Sequence, residues 1–183
     1  MAGTGSVDLW VRTPTEAEVG FKVNDADLEV SLTEVRPDGQ EMYVQGGWLR
    51  ASYRGLTKAA TELWPENIIY QDQRQDVVPG QWTKVRVALT GFAHVFRPGS
   101  RIRVAVDTPG DTRVDWRFEL LPWPENKTLR FAVAHSATRP SSIALPVLTG
   151  AKIPDGVNLP ACPSLRGQPC RTYTALANVP FDD

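Results

Sequence analysis

GFAHVFRPGSRIRVAVDTPG, residues 91–110, places alternating side chains between two turn dipeptides. Ile102, Val104 and Val106 alternate with Arg101, Arg103 and Ala105, the period of two that marks a half-buried strand with Arg101 and Arg103 on its solvated face. Pro98-Gly99 and Pro109-Gly110 punctuate it, proline presetting one turn dihedral and glycine accepting a positive one. LEVSLTEVRPDGQEMYVQGGWLRASYR, residues 28–54, repeats the pattern, with Leu28, Val30 and Leu32 alternating before the turn Pro37-Asp38-Gly39. Short strands separated by frequent turns point to a sandwich or barrel.

The same period runs outward in both directions, through Val7, Leu9 and Val11 and through Val85, Val87 and Leu89, the latter preceded by Pro79-Gly80. Further strands are expected at 41–53, 114–119, 128–135 and 143–147. The total of about eight fits an all-β jelly-roll β-sandwich of two packed sheets. A helix is expected only at 55–63, where LTKAATEL ends at Trp64-Pro65. Glu16 to Asp25 reads as a lengthened hairpin loop. The jelly-roll domain is assigned to residues 1–151, and 152–183 to an extended Pro-rich tail that wraps the domain or a neighbour.

At 183 residues, 42% hydrophobic and 22% charged, the chain has the composition of one globular domain with its own core. Twenty Lys plus Arg against 21 Asp plus Glu leave a net charge of -1, which disfavours a nucleic-acid partner. No apolar run is long enough for a membrane span, and Met1 to Ser6 lacks the features of a signal peptide. These readings favour a cytoplasmic location and no membrane partner.

Catalytic chemistry is hard to find. No serine has glycine two residues away on both sides, so the Gly-x-Ser-x-Gly elbow of an α/β-hydrolase is missing, as is the βαβ alternation that would carry it. His94, between Phe92 and Phe96, reads as a hydrogen-bonded packing residue, and His135 receives no catalytic role. Asp107, Asp111 and Asp115 cluster near one turn and read as turn formers in preference to a calcium site. No cofactor or metal is expected. Of the six tryptophans, Trp10, Trp48 and Trp82 lie in or beside strands, where core packing is the default, whereas Trp64 and Trp123 precede prolines in loops and are candidates for an exposed contact. Cys162 and Cys170 either close a short loop as a disulfide or stand as free thiols.

In order along the chain, GSVDLWVRT at 5–13, VRPDGQEMYVQGGWLRASYR at 35–54, PGQWTKVRVAL at 79–89, FAHVFRPGSRIRVAVD at 92–107 and RPSSIALPV at 139–147 form a series. This series resembles the C-terminal jelly-roll domain of the X-Pro dipeptidyl peptidase, cocaine esterase and α-amino acid ester hydrolase (CocE/NonD) family. The resemblance implies a galactose-binding-domain-like fold that supplies no triad member and packs on an α/β-hydrolase catalytic domain, in cis or in trans, shaping its substrate pocket. It also implies early strands that are absent from this chain, so either a sandwich edge is exposed or the tail covers it. Interface candidates are Trp64, Phe96, Arg97, Asp107, Asp111, Asp115 and Trp123. The rival reading is a free-standing carbohydrate-binding or adhesion module, since jelly rolls host many functions. A homo-oligomer is compatible with both readings.

Overall fold

The computed structural model describes residues 1–109, 121–124, 127–158 and 170–175. Two antiparallel sheets form a β-sandwich. In the first sheet β1 (Ala2–Arg12) pairs along its length with β4 (Trp82–Ala93). The opposite edge of β1 is shared: Trp10 to Arg12 pair with β6 (Ala132–Ala134), and Ser6 to Asp8 pair with β7 (Ser142–Ala144). The second sheet has the order β5 (Arg101–Asp107), β2 (Asp27–Val35), β3 (Gln40–Arg50), β8 (Arg171–Thr172).

Alternation decides which face is inside. Val7, Leu9 and Val11 of β1 meet Leu28, Val30 and Leu32 of β2, joined by Val44 and Leu49 of β3 and Val85, Val87 and Leu89 of β4 in one buried cluster. Their full burial is worth about 1.5–3 kcal/mol each relative to exposure. The period slips at one place in the second sheet, where Leu32 pairs with Gln45 but Thr33 pairs with Tyr43, a bulge that leaves Val44 unpaired. Beyond it β3 comes into backbone contact with β4: Gln45 Nε2 donates to the Gly91 carbonyl at 3.0 Å and Thr90 Oγ1 to the Gly46 carbonyl at 3.2 Å. A Cβ on Gly47 would stand 1.8 Å from the Ala88 carbonyl oxygen, so this crossing needs glycine.

Several expectations are corrected. Residues 55–63 form turns and an isolated bridge between Leu56 and Asn67, with no helix. Thr57 Oγ1 accepts from Ala59 N and Thr61 Oγ1 from Trp64 N, side-chain bonds that compete with helical ones in a segment too short to nucleate alone. Conversely, the expected hairpin loop at 16–25 contains a one-turn helix, α1 (Glu16–Val19), closed by a capping box between Thr15 and Glu18. Trp10 and Trp82 lie outside the buried core, on the outer face of the first sheet, because each falls on the parity opposite to its strand's core residues. Arg103 donates to both oxygens of the Glu41 carboxylate instead of facing only solvent. The expected strands at 128–135 and 143–147 are shorter, and the one at 114–119 lies outside the described residues.

Residues 171–172, read from sequence as tail, hydrogen-bond to the start of β3 as a short strand. Arg171 reaches Glu41 at 3.1 Å, and the Tyr173 ring lies under the guanidinium groups of Arg101 and Arg103 at 4.9 and 5.3 Å. Cys170 beside it is disulfide-bonded, and Cys162 lies outside the described residues. No described helix is long and apolar enough to cross a membrane.

Candidate functional site

The sequence between β3 and β4 carries no long strand or helix, yet its base is firmly held. Asp25, 1% exposed, accepts from Ala26 N at 2.9 Å and Ser52 N at 2.8 Å, and Arg74 reaches its other oxygen at 3.4 Å. Arg74 also pairs with Asp76, which accepts from Asn24 Nδ2 at 2.6 Å. Arg54 donates to the carbonyls of Ala51 and Gln75. Val77, 2% exposed, plugs the core where the segment re-enters, its amide bonded to the Asn24 carbonyl at 2.8 Å. Farther out, Thr57 N donates to Glu66 O, Ile68 N to Gly55 O, and the Ser6 hydroxyl to Glu62 O.

This framework presents apolar side chains to solvent. Trp64 is 57% exposed, Ile69 76% and Tyr70 67%, with Leu56, Leu63 and Val78 also exposed. Isolated exposed apolar residues are ordinary, whereas this one segment carries six large ones between residues 56 and 78.

The other sequence candidates lie elsewhere. Phe96 and Arg97 sit in the β4–β5 connection, over the far end of β2. There the buried Glu34 carboxylate accepts from Arg97 N at 3.2 Å and lies 2.8 Å from His94 Nε2, while His94 packs edge-on against Phe96 at 4.8 Å. Burial pulls the Glu34 pKa up, but the neighbouring Ser100 hydroxyl, His94 and the Arg97 amide outweigh it and hold the group below the usual carboxylate range. His94 is thus a packing histidine tied to a buried partner.

Asp107 ends β5 beside the opposite end of the sandwich and accepts from Thr108 N at 2.8 Å. Close by is a groove of about 340 Å³ lined by Asp27, Trp48, Arg50, Tyr53 and Pro109. Its floor is a two-point ion pair, Arg50 Nε to Asp27 at 2.7 Å and Arg50 Nη2 at 3.1 Å, which pushes the arginine pKa up. Asp27 and Glu34 are seven residues apart on one strand, about 23 Å, so Asp107 and Phe96 belong to different ends of the molecule. Trp123 is half-buried against Phe21, ring centroids 6.2 Å apart. Asp111 and Asp115 lie outside the described residues. No group of three or more metal-ligating side chains occurs among the described residues. Trp64, an interface candidate from the sequence, is exposed in the anchored segment together with Ile69 and Tyr70, which stand out in the sequence only as large apolar residues interrupting a long polar stretch.

Compared with known proteins, residues 1–143 match the family described as the X-Pro dipeptidyl-peptidase C-terminal non-catalytic domain. The chain belongs to this family. Within it, 86 residues are 29% identical to the protein named "Putative serine esterase Mb1866c" from Mycobacterium bovis, covering 45% of this chain and 14% of that one. The protein named "Putative serine esterase MT1883" from Mycobacterium tuberculosis matches to the same extent. Among solved structures, a CocE/NonD family hydrolase from Staphylococcus aureus superposes with a TM-score of 0.62 at 18% identity, over 81% of this chain and 28% of that chain. A second crystal structure of the same hydrolase gives 0.61. The X-Pro dipeptidyl-peptidase C-terminal domain is therefore a β-sandwich here as in the hydrolase, and this chain spans less than a third of the relatives it matches.

Proposed function

We propose that this domain works as the non-catalytic part of a serine hydrolase of the dipeptidyl peptidase or acyl esterase type, packing on an α/β-hydrolase core and helping to shape its substrate pocket. The observation that carries the reading is the anchored segment with Leu63, Trp64, Ile69 and Tyr70 exposed: a domain from a family named non-catalytic presents apolar area that a free-standing fold would bury. The occupant is the catalytic domain, because the relatives are several times longer than this chain and two carry esterase names. Burying the Trp64 and Tyr70 rings would supply the aromatic anchors typical of interface hot spots.

The test begins with an immunoblot of source cells against this chain. A band several times heavier than 20.2 kDa, or a 20.2 kDa band that co-purifies with a hydrolase core, is expected. In the resulting enzyme L63S/W64S/Y70S should lower the melting temperature and raise KM, while the isolated domain melts as before. A free 20.2 kDa protein without a hydrolase partner would overturn the reading, as would ester turnover by the isolated chain.

A further inference from the structure

We propose that the cleft on the outer face of the first sheet, between Trp10, Trp82 and the β6–β7 turn, is a carbohydrate-binding site that takes a single pyranose ring. The site is independent of the surface assigned to domain docking. Trp10 lies between the core residues Leu9 and Val11, and Trp82 shares the outward parity of Lys84 and Arg86. The β1–β4 register sets Trp10 against Lys84 and Arg12 against Trp82. Trp10 and Trp82 are thus diagonal neighbours on one face, their Cα atoms roughly 7–8 Å apart. They line a cleft of about 510 Å³ with Gly80, Gln81, Thr138 and Arg139.

Its walls are held before any ligand arrives. Gly80 N donates to Thr13 O and Gln81 N to Val78 O, both at 3.0 Å. Gly80 has a φ of +78°, and a Cβ there would stand 2.6 Å from Thr15 Cγ2, so this turn needs glycine. On the other side Ser141 Oγ donates to the Ala134 carbonyl and accepts from Trp10 N, fastening the β6–β7 turn to β1. Within the turn Arg139 N donates to the backbone and side-chain oxygens of Ser136, each at 3.2 Å. The Arg139 guanidinium thereby comes to lie over the Trp82 ring, 5.5 Å from its centroid.

This lining is mixed in the way a sugar requires. A pyranose offers one apolar C–H face, suited to an indole, and a rim of hydroxyls, suited to guanidinium, amide and hydroxyl groups. Arg139 is exposed and lies over the Trp82 ring at the edge of the cleft, where a guanidinium can donate to a guest's hydroxyls. A nucleotide fits poorly, because the other nearby cations are committed: Lys84 and Arg86 to Asp8, and Arg12 to Glu18.

The test is isothermal titration of the full chain with methyl glycosides and hexasaccharides of glucose, galactose and galacturonate. Saturable binding of at least one sugar is expected, and R139A, on an exposed turn, and W82A should each weaken it roughly tenfold, about 1.4 kcal/mol. W64A should leave it unchanged. Preference for galacturonate that fades with salt would show Arg139 reading a carboxylate, and salt-insensitive binding of a neutral sugar would show it reading hydroxyls; both support the site. No saturable heat with any sugar, or undiminished binding by a folded R139A, would overturn the proposal.

Discussion

Replacing Gly47 by alanine tests the sandwich crossing directly. The added methyl carbon would stand 1.8 Å from the Ala88 carbonyl oxygen and 2.8 Å from its carbon, whereas ordinary contact begins at 3.4 Å. Both obstacles are backbone, so no side chain can swing aside, and β3 and β4 must separate by about 1.6 Å, the difference between those distances. Overpacking of this kind costs about 1–3 kcal/mol. The same separation strains the bonds from Gln45 to Gly91 and from Thr90 to Gly46, at about 1 kcal/mol each. The expected loss is about 3–5 kcal/mol, and at about 2–4 °C per kcal/mol for a chain of this size the melting temperature should fall by roughly 6–20 °C. Thermal unfolding followed by circular dichroism measures it. Gly91→Ala is the control, since a Cβ there meets nothing closer than 3.9 Å. A Gly47→Ala protein that melts within a degree or two of the parent would refute the crossing as described.

Acid stability depends on Glu34. Its pKa is lowered below the ordinary 4.5, so the folded state binds fewer protons than the unfolded chain; the stabilisation is complete above 4.5 and is lost as pH falls through the folded value. E34Q should therefore flatten the acid limb of a melting-temperature profile below 4.5, and an unchanged limb would remove Glu34 from that role. Asp25→Ala leaves the buried amides of Ala26 and Ser52 without their acceptor, at about 1–3 kcal/mol for each unsatisfied group. Limited proteolysis should then cut first between residues 54 and 79, and unchanged cleavage sites would show that the segment is held by other contacts.

The fold was legible wherever burial imposes a strict period of two. Val7-Leu9-Val11, Leu28-Val30-Leu32 and Val85-Val87-Leu89 declare their strands and inner faces without help from tertiary structure. The same parity turns Trp10 outward, since it stands between two core residues, and here alternation prevails over the general tendency of tryptophan to be buried. The false helix at 55–63 came from composition, and its threonines bind nearby amides instead. What no local pattern could reveal are partners distant in sequence, such as Glu34 with His94, sixty residues on, or Asp25 with Ser52 and Arg74. These distant pairs hold the candidate surfaces in place, which is why the surfaces were less legible than the strands.

The shared edge of β1 has a kinetic meaning. Strands β2 and β3 are joined by a short turn and can pair as soon as both have been made. β1 must wait for β4 on one side and for β6 and β7 on the other, and 120 residues separate Arg12 from Ala132. At about 5–20 residues per second on the ribosome, one side of β1 lacks these partners for roughly 6–24 s. Completion of the first sheet is thus a late, non-local event, the kind of pairing that slows folding and exposes a chain to aggregation in the interval. Variants that weaken the β6–β7 turn, such as Ser141→Ala, should therefore lower soluble yield more than they lower the melting temperature.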